Sequence, residues 1–519
     1  MEPYAARIKD VLERRAKAGR FAPGVAAYSD SDMFKKSPSP DLPKAKRWDD
    51  HFTEECKGRK QCVLKQAAKH LNTPGLISLG GGLPSPSYFP FSSLSLSVPT
   101  PPDFSSSATA GSSPLRTITI GKNDIAEGKG EYDLAVALNY GQVTGSAQML
   151  RFVTEITEIL FAPPYADWGC AQTTGSTGVL ETAARMFTER ARGDKVLMEE
   201  YTYSTAQETM EALGIEVVGV RMDGQGMVPG DLRGTLEGWD VGARGRKPHV
   251  LYTVPTGQNP TGATLTPERR REIYDICEEH DIFIIEDDPY YLLQMAPYPP
   301  ASSPPPAETS SLPSYLSSLP GTFLGIDTSG RVLRLDSFSK VLAPGSRMGW
   351  VTASAQVIDR FLRHGESSQG PSGFSQAALH TLLDRTWGHE GFLAWLANLG
   401  GEYTGRRNVL LGACGEFLPG VATWDAPSAG MFLWIKLDHT KHPRLADGIL
   451  AIEDEIFHSC IARGVLVARG SWFRAASDGS EPQALFFRAT YAMAGADAIR
   501  EATRRFGAAV RESFGIKEE

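Results

Sequence analysis

Between residues 195 and 352 short apolar runs alternate with helical stretches, and this alternation constrains the fold more than any other feature of the chain. Residues 195–198, 216–221, 249–253, 282–286, 331–335 and 349–352 have the length and apolar content of strands. Residues 179–192 precede the first of them, and 205–213 and 267–280 lie among them, all with helical spacing. The last of these opens with Thr266 as an N-cap and Pro267 at the first helical position. Strand–helix alternation of this length predicts a mostly parallel sheet with helices on both faces. After residue 390 the pattern becomes helix, strand, helix, strand, helix, which predicts a smaller α+β domain.

A chain of 519 residues is too long for one ordinary core, so two or more domains are expected. Residues 4–18 and 63–70 read as helices, and 77–84 as a short strand running into a glycine turn. From 91 to 130 the composition collapses into Ser, Pro, Thr and Gly. Too few apolar side chains remain there to offset the entropy of ordering, so the segment reads as a surface insertion. A second Pro/Ser-rich insertion is expected at 297–318.

The net charge of −8 argues against nucleic acid or an anionic membrane as the main partner, since both want a basic footprint, and leaves room for a local basic patch around an anionic ligand. Cys56, Cys62, Cys170, Cys277, Cys414 and Cys460 are dispersed, with no C-x-x-C pair and no zinc spacing. They read as reduced thiols of a cytoplasmic protein that carries no metal. No apolar run is long enough for a bilayer, and the six Lys/Arg among the first twenty residues are interrupted by Glu2, Asp10 and Glu13, unlike an acid-poor leader.

Four local signals carry chemistry, and each alone has a plainer reading. Thr174-Gly175-Ser176-Thr177-Gly178 is a helix cap or a phosphate site built from free N–H groups. The stretch from Val254 through Gln258-Asn259-Pro260-Thr261-Gly262 is a rigid turn or a ligand contact at the end of a strand. Glu286-Asp287-Asp288-Pro289-Tyr290-Tyr291 ends a buried strand in acids that suit a metal, a solvated loop or something more specific. Asp336-Ser337-Phe338-Ser339-Lys340, followed by Arg347, offers a surface charge, a phosphate ligand or an amine that forms an imine. Together they supply the parts that pyridoxal phosphate needs: a lysine, a carboxylate for the ring nitrogen, donors to the phenolate oxygen, and a cationic, hydroxyl-rich phosphate cup.

In this order the motifs resemble fold-type I, class I/II aminotransferases. The runs at 80–84, 257–262 and 286–291 are similar to those of the kynurenine/2-aminoadipate and fungal aromatic aminotransferase subgroup. The resemblance spans residues 60–515 apart from the two insertions. It implies an N-terminal arm and a segment packing with the small domain at 1–90, the insertion at 91–130, a large pyridoxal-phosphate-binding domain at 131–385 with a mostly parallel seven-stranded sheet, and a small α+β domain at 386–519.

The same resemblance implies roles for residues. Lys340 would bond the cofactor and later move a proton, and Asp288 would pair with the ring nitrogen. Tyr291 and Asn259 would bond the phenolate oxygen, and Tyr203 would stack on the ring. Ser176, Thr177, Ser337, Ser339 and Arg347 would bind the phosphate, with Tyr140 reaching the cofactor of a partner subunit in an obligate homodimer with shared active sites. Arg488 would clamp the substrate carboxylate, with Asn259, Gly82 and Lys65 beside the substrate. An arginine fork closing an apolar strand suits a carboxylate physically. The implied reaction is ping-pong transfer of an amino group from an aromatic amino acid, kynurenine or 2-aminoadipate to a 2-oxo acid such as 2-oxoglutarate.

Two rivals keep parts of this reading. A β-lyase or decarboxylase-type enzyme of secondary metabolism keeps the cofactor and changes the reaction. A pyridoxal-phosphate-binding regulator shares the motifs, but it needs a basic DNA-binding domain ahead of Gly80, where this chain shows no helix-turn-helix pattern.

Overall fold

The computed structural model of the protein describes residues 4–517 apart from 20, 22–23, 26, 64–69, 71–72, 74, 81, 106–110, 112–114, 300–310, 369 and 476–480. Numbered along the chain, its strands are β1 (Ser93–Val98), β2 (Arg116–Gly121), β3 (Trp168–Thr173), β4 (Lys195–Glu199), β5 (Glu216–Val220), the short pair β6 (Met222–Asp223) and β7 (Gly226–Met227), β8 (Val250–Thr253), β9 (Phe283–Asp287), β10 (Val332–Ser337), β11 (Gly349–Ser354), β12 (Ala422–Trp424), β13 (Phe432–Leu437), β14 (Ala468–Arg469) and β15 (Leu485–Thr490). Each of the six strands expected between 195 and 352 is present.

Seven strands form one sheet in the order β3-β11-β10-β9-β8-β4-β5. The β4–β5, β4–β8 and β9–β10 pairs are parallel, while β11 runs antiparallel to both β10 and β3. Every residue of β8, β9, β10 and β11 is buried. Strands covered on both faces need apolar side chains on both, which is why these segments read as continuous apolar runs rather than alternating ones. The helix Pro267–Glu279 starts as its sequence requires, with the Thr266 hydroxyl accepting from the Arg269 N–H at 3.2 Å.

The chain divides into two compact units. One comprises Met1–Phe187, Phe283–Pro289 and Gly321–Asn398, the other Thr188–Ile282, Tyr290–Pro320 and Leu399–Glu519. In the first unit the helix Tyr4–Lys17 is anchored by Arg14 and Arg15, which pair with Glu158 and with Glu155 and Asp384. The second unit holds an antiparallel sheet, β12-β13-β15-β14, and the helices Ile449–Ala462 and Ala496–Phe514. The last helix buries Ile499, Thr503, Phe506, Val510 and Phe514, three to four residues apart, as an amphipathic helix does.

Two expectations change. Residues 76–79 form no strand, and Ile77 and Leu79 are 88% and 97% exposed. The helix expected at 63–70 falls mostly outside the described residues. The insertion at 91–130 is more ordered than its composition suggested, because β1 and β2 pair as an antiparallel hairpin. Serine and threonine alternate with Leu94, Leu96, Val98, Ile118 and Ile120, so one face is polar and the other apolar. Ser95–Thr119 and Ser97–Thr117 hydroxyl pairs at 2.9 and 3.1 Å lace the polar face. On the other face Ile120, 1% exposed, joins a cluster with Tyr132, Leu134, Ala137 and Ala377. Of the second insertion, 311–318 is described and carries the helix Leu312–Ser318, capped by Ser311.

Candidate active site

In the first unit the carboxyl ends of β3 and β10 lie on the same side of the sheet, since both run antiparallel to β11. The Gly175-Ser176 turn follows β3, and the lysine turn follows β10. Lys340 is therefore carried to the edge where open α/β sheets bind ligands. Its turn is closed by the Leu342 N–H on the Phe338 carbonyl at 2.9 Å and by the Phe338 N–H on the Met348 carbonyl at 3.0 Å.

Beside it stands a cup for an anion. Arg347 holds a left-handed backbone, φ +47°, a conformation that costs a non-glycine residue about 1–2 kcal/mol. Its guanidinium donates to the Thr174 carbonyl at 2.8 Å, the Pro344 carbonyl at 3.1 Å and the Ser339 hydroxyl at 3.4 Å. Ser337 Oγ lies 2.9 Å from Ser339 Oγ. Gly175, φ +104°, leaves room for the arginine, because a Cβ there would stand 2.7 Å from Nη2. Ser176 and Thr177 open the helix Ser176–Phe187, whose first N–H groups have no carbonyl of their own helix to bond. A fixed cation, hydroxyls and a helix N-terminus are the donor set of a phosphate site. Tyr140 is 64% exposed in this unit and its N–H is held by Asn139 Oδ1 at 2.9 Å. Gly82 is exposed in open space, and Lys65 lies outside the described residues.

The acids at the end of β9 require a correction. Parallel register sets Glu286 beside Arg334 and Asp287 beside Leu335. Successive side chains point to opposite faces, so Glu286 and Asp288 share the Arg334 face while Asp287 shares that of Leu335 and Ser337. Asp288 accordingly pairs with Arg334 at 3.1 Å, as does Glu286, and Asp336 takes the same guanidinium at 3.0 Å. Arg334 is wholly buried; burial opposes its charge, and the three carboxylates outweigh that and raise its pKa. Asp288 thus belongs to a buried ion cluster, and Asp287, 3% exposed, is the acid that faces the other way. Glu286 and Asp288 thus find their cation in the protein itself.

The adjoining tyrosines shift in the same sense. Tyr291 donates its hydroxyl to the Pro320 carbonyl at 2.8 Å, so its hydroxyl is engaged in the structure of its own loop. Tyr290 instead packs edge-on to Phe432, with ring centroids 5.7 Å apart. That ring also lies under Arg488, whose guanidinium carbon stands 4.4 Å from the Phe432 centroid and 4.6 Å from that of Phe473. The motif was legible, but which of two adjacent residues faces inward depends on strand register. Phe432 and Phe473 carry no local motif.

In the second unit Asn259 meets Arg488: the guanidinium donates to Asn259 Oδ1 at 2.7 Å. Gln258 fixes the Asn259 turn, donating to the Tyr201 carbonyl at 2.7 Å and accepting from the Thr261 N–H at 2.9 Å. Gly257 lets the turn approach Gly430, since a Cβ would come within 2.7 Å of it. Burial lowers the pKa of Arg488, with Tyr290 opposing, and among the described residues no carboxylate forms an ion pair with it. A desolvated guanidinium between two rings, positioned by a neutral amide, has the chemistry to receive a carboxylate. Tyr203 is half-buried at the start of the helix Ser204–Ala212.

Residues 166–506 match the family described as aminotransferase class I and II. The chain belongs to this family. It is 40% identical over 490 residues to aminotransferase swnA of Metarhizium robertsii, covering 91% of this chain and 93% of that one. It is 39% identical over 472 residues to an aromatic amino acid aminotransferase of Schizosaccharomyces pombe, covering 89% and 98%. The crystal structure of aminotransferase Aro8 from Candida albicans matches with a TM-score of 0.84 at 38% identity, over 91% of this chain and all of that one. The aminotransferase fold thus carries the mostly parallel sheet that the strand–helix alternation predicted, with the seven strands that the resemblance implied.

Proposed function

We propose that this aminotransferase uses pyridoxal 5′-phosphate to move the amino group of an aromatic amino acid to a 2-oxo acid such as 2-oxoglutarate, with kynurenine and 2-aminoadipate as further donors. The reading rests above all on Arg488, a desolvated cation with no acidic partner among the described residues, flanked by Phe432 and Phe473. Aromatic relatives such as that of Schizosaccharomyces pombe support the donor class.

The donor set fits the cofactor. Arg347, Ser337, Ser339 and the helix opened by Ser176 and Thr177 would bind its phosphate, and Lys340 would bond it. Asp287 would hold the proton on its ring nitrogen, in place of Asp288. Tyr290 and Asn259 would serve its phenolate oxygen, and Tyr203 would cover its ring. Bound there, the group supplies an electron-poor ring that accepts the electron pair released at the substrate Cα.

The chain's own residues perform the rest. Arg488 takes the α-carboxylate as a two-pronged ion pair, and Asn259 keeps its plane fixed. The Lys340 amine removes the Cα proton as a general base and delivers it again on the far side of the transfer. Donor and acceptor are both carboxylic acids, so one arginine serves both half-reactions. We further propose a homodimer, supported by exposed apolar side chains at Ile77, Leu79 and Tyr88 and by exposed Tyr140.

The test is a panel of amino acids offered with 2-oxoglutarate to the purified enzyme. Glutamate and the matching 2-oxo acid should form in equal amounts, fastest with phenylalanine, tyrosine, tryptophan or kynurenine. Release of ammonia or CO₂ instead of a paired oxo acid would overturn the reaction, and a preference for small aliphatic donors would overturn the substrate.

A further inference from the structure

The Ser/Pro-rich insertion is docked into the first unit beyond what its hairpin requires. Past β1 the chain runs through Pro99, Pro101 and Phe104 along the start of the helix Gly388–Phe417. Trp387 donates its indole N–H to the Pro99 carbonyl at 2.9 Å, and Asn398 donates to the Phe104 carbonyl at 3.0 Å. The Phe104 ring, 3% exposed, stands edge-on to Trp387 and Trp395 at centroid distances of 5.3 and 5.6 Å. At Gly391 a Cβ would fall 2.9 Å from Pro101 Cγ, so helix and insertion are shaped to each other.

The two indoles are brought together by a break in the helix. Eight residues apart on a continuous α-helix they would be separated by about 12 Å along its axis. The π-helical turn Thr381–Trp387 ends at Gly388, φ +65°, a backbone that only glycine adopts freely, and the rings stack with centroids 5.5 Å apart.

Trp395 then reaches the catalytic turn. Its indole N–H donates to the Val341 carbonyl at 2.7 Å, on the residue that follows Lys340. One helical turn earlier Phe392 packs against Phe338, with centroids 6.3 Å apart. The lysine turn is thus gripped on both sides of Lys340 by one helix face, and the insertion closes the back of that grip.

We propose that the insertion is a brace for the catalytic lysine: Phe104, wedged against Trp387 and Trp395, holds the indole that fixes the Val341 peptide. Phe104 and Trp395 are positioning residues, and the proposal rests on the reading of Lys340 as the cofactor's lysine. Phe104→Ala removes the wedge. Trp395→Phe keeps an aromatic ring against Phe104 and deletes only the N–H donor.

The test is hydrogen–deuterium exchange of residues 338–343 in the cofactor-free and the cofactor-loaded protein, with the pH titration of the lysine-bound chromophore alongside. Loss of one internal hydrogen bond should speed exchange there about 3–10-fold in both variants. The chromophore's titration midpoint should move, and kcat should fall with KM nearly unchanged. In Trp395→Phe the exchange of 93–98 and 116–121 should stay as in the wild type. Unchanged exchange at 338–343 in both variants, with faster exchange confined to the insertion and 384–398, would overturn the brace. Should Phe104→Ala fail to fold, Trp395→Phe decides alone. Exchange in the cofactor-free protein reports on the brace whether or not Lys340 bonds the cofactor; loss of the brace and loss of the lysine's role are therefore separate results.

Discussion

Replacing Asp287 and Asp288 in turn by asparagine separates two neighbouring acids that sequence alone cannot tell apart. Asp288 shares Arg334 with Glu286 and Asp336, three carboxylates on one guanidinium. Asp288→Asn leaves two of them, so Arg334 keeps its charge balanced and the cluster sheds an excess negative charge. The loss is one charge-assisted hydrogen bond, worth about 1.5–3 kcal/mol and partly offset by relief of repulsion. The expected effect is a Tm lower by a few degrees with kcat/KM within about 3-fold of the wild type. With Asp287 holding the proton on the cofactor's ring nitrogen, as proposed above, Asp287→Asn would break a buried charged pair, a loss of about 3–5 kcal/mol. At about 1.4 kcal/mol per tenfold, that predicts a fall of about 100- to 4,000-fold in kcat/KM with the Tm of the cofactor-free protein little changed. Steady-state kinetics with an aromatic donor and 2-oxoglutarate, paired with thermal unfolding, reads both. If Asp288→Asn abolishes turnover while Asp287→Asn retains it, the argument from strand parity is wrong.

Two further outcomes follow from the same groups. Arg488→Lys keeps the charge but loses the planar fork set by Asn259, so kcat/KM should fall about 10–100-fold, mostly through KM; equal losses with a substrate amine lacking the carboxylate would refute the clamp. Burial lifts Asp336 to about 7, with Arg334 opposing and Asp288 and Glu286 adding to the rise. The folded protein then holds a proton that the unfolded chain, with a usual value of 3.8, releases at lower pH. Stability should therefore fall as pH rises from about 4 through 7, and Asp336→Asn should flatten that slope; parallel Tm–pH curves for the two proteins would contradict the assignment.

The parts of the site set by short-range chemistry were legible in the sequence. Ser337 ends β10, Ser339, Lys340 and Arg347 lie in the turn after it, Ser176 opens the helix after β3, and Asn259 lies in the turn after β8, places that the apolar runs of those strands made legible. Asp288 and Tyr291 could not be told from their neighbours in the sequence, because Glu286-Asp287-Asp288 and Tyr290-Tyr291 repeat the same residue types. Among the acids, only the register of β9 on β10 decides which shares a face with Ser337. The insertion was misread for a different reason. Its Ser/Pro content hid a period-2 pattern at 93–98 and 116–121 that was present in the sequence, and the docking of Phe104 depends on tryptophans nearly 300 residues away. Arg488 was legible as an arginine closing an apolar strand, whereas Phe432 and Phe473 became visible only through tertiary contact.

The central claim concerns one amine. Reducing the cofactor-loaded enzyme with borohydride, digesting it and sequencing the cofactor-bearing peptide by mass spectrometry locates the covalent bond directly. A single modified peptide is expected, with the adduct on Lys340 and absent from Lys340→Ala. An adduct on another lysine, or one that persists in Lys340→Ala, would contradict it.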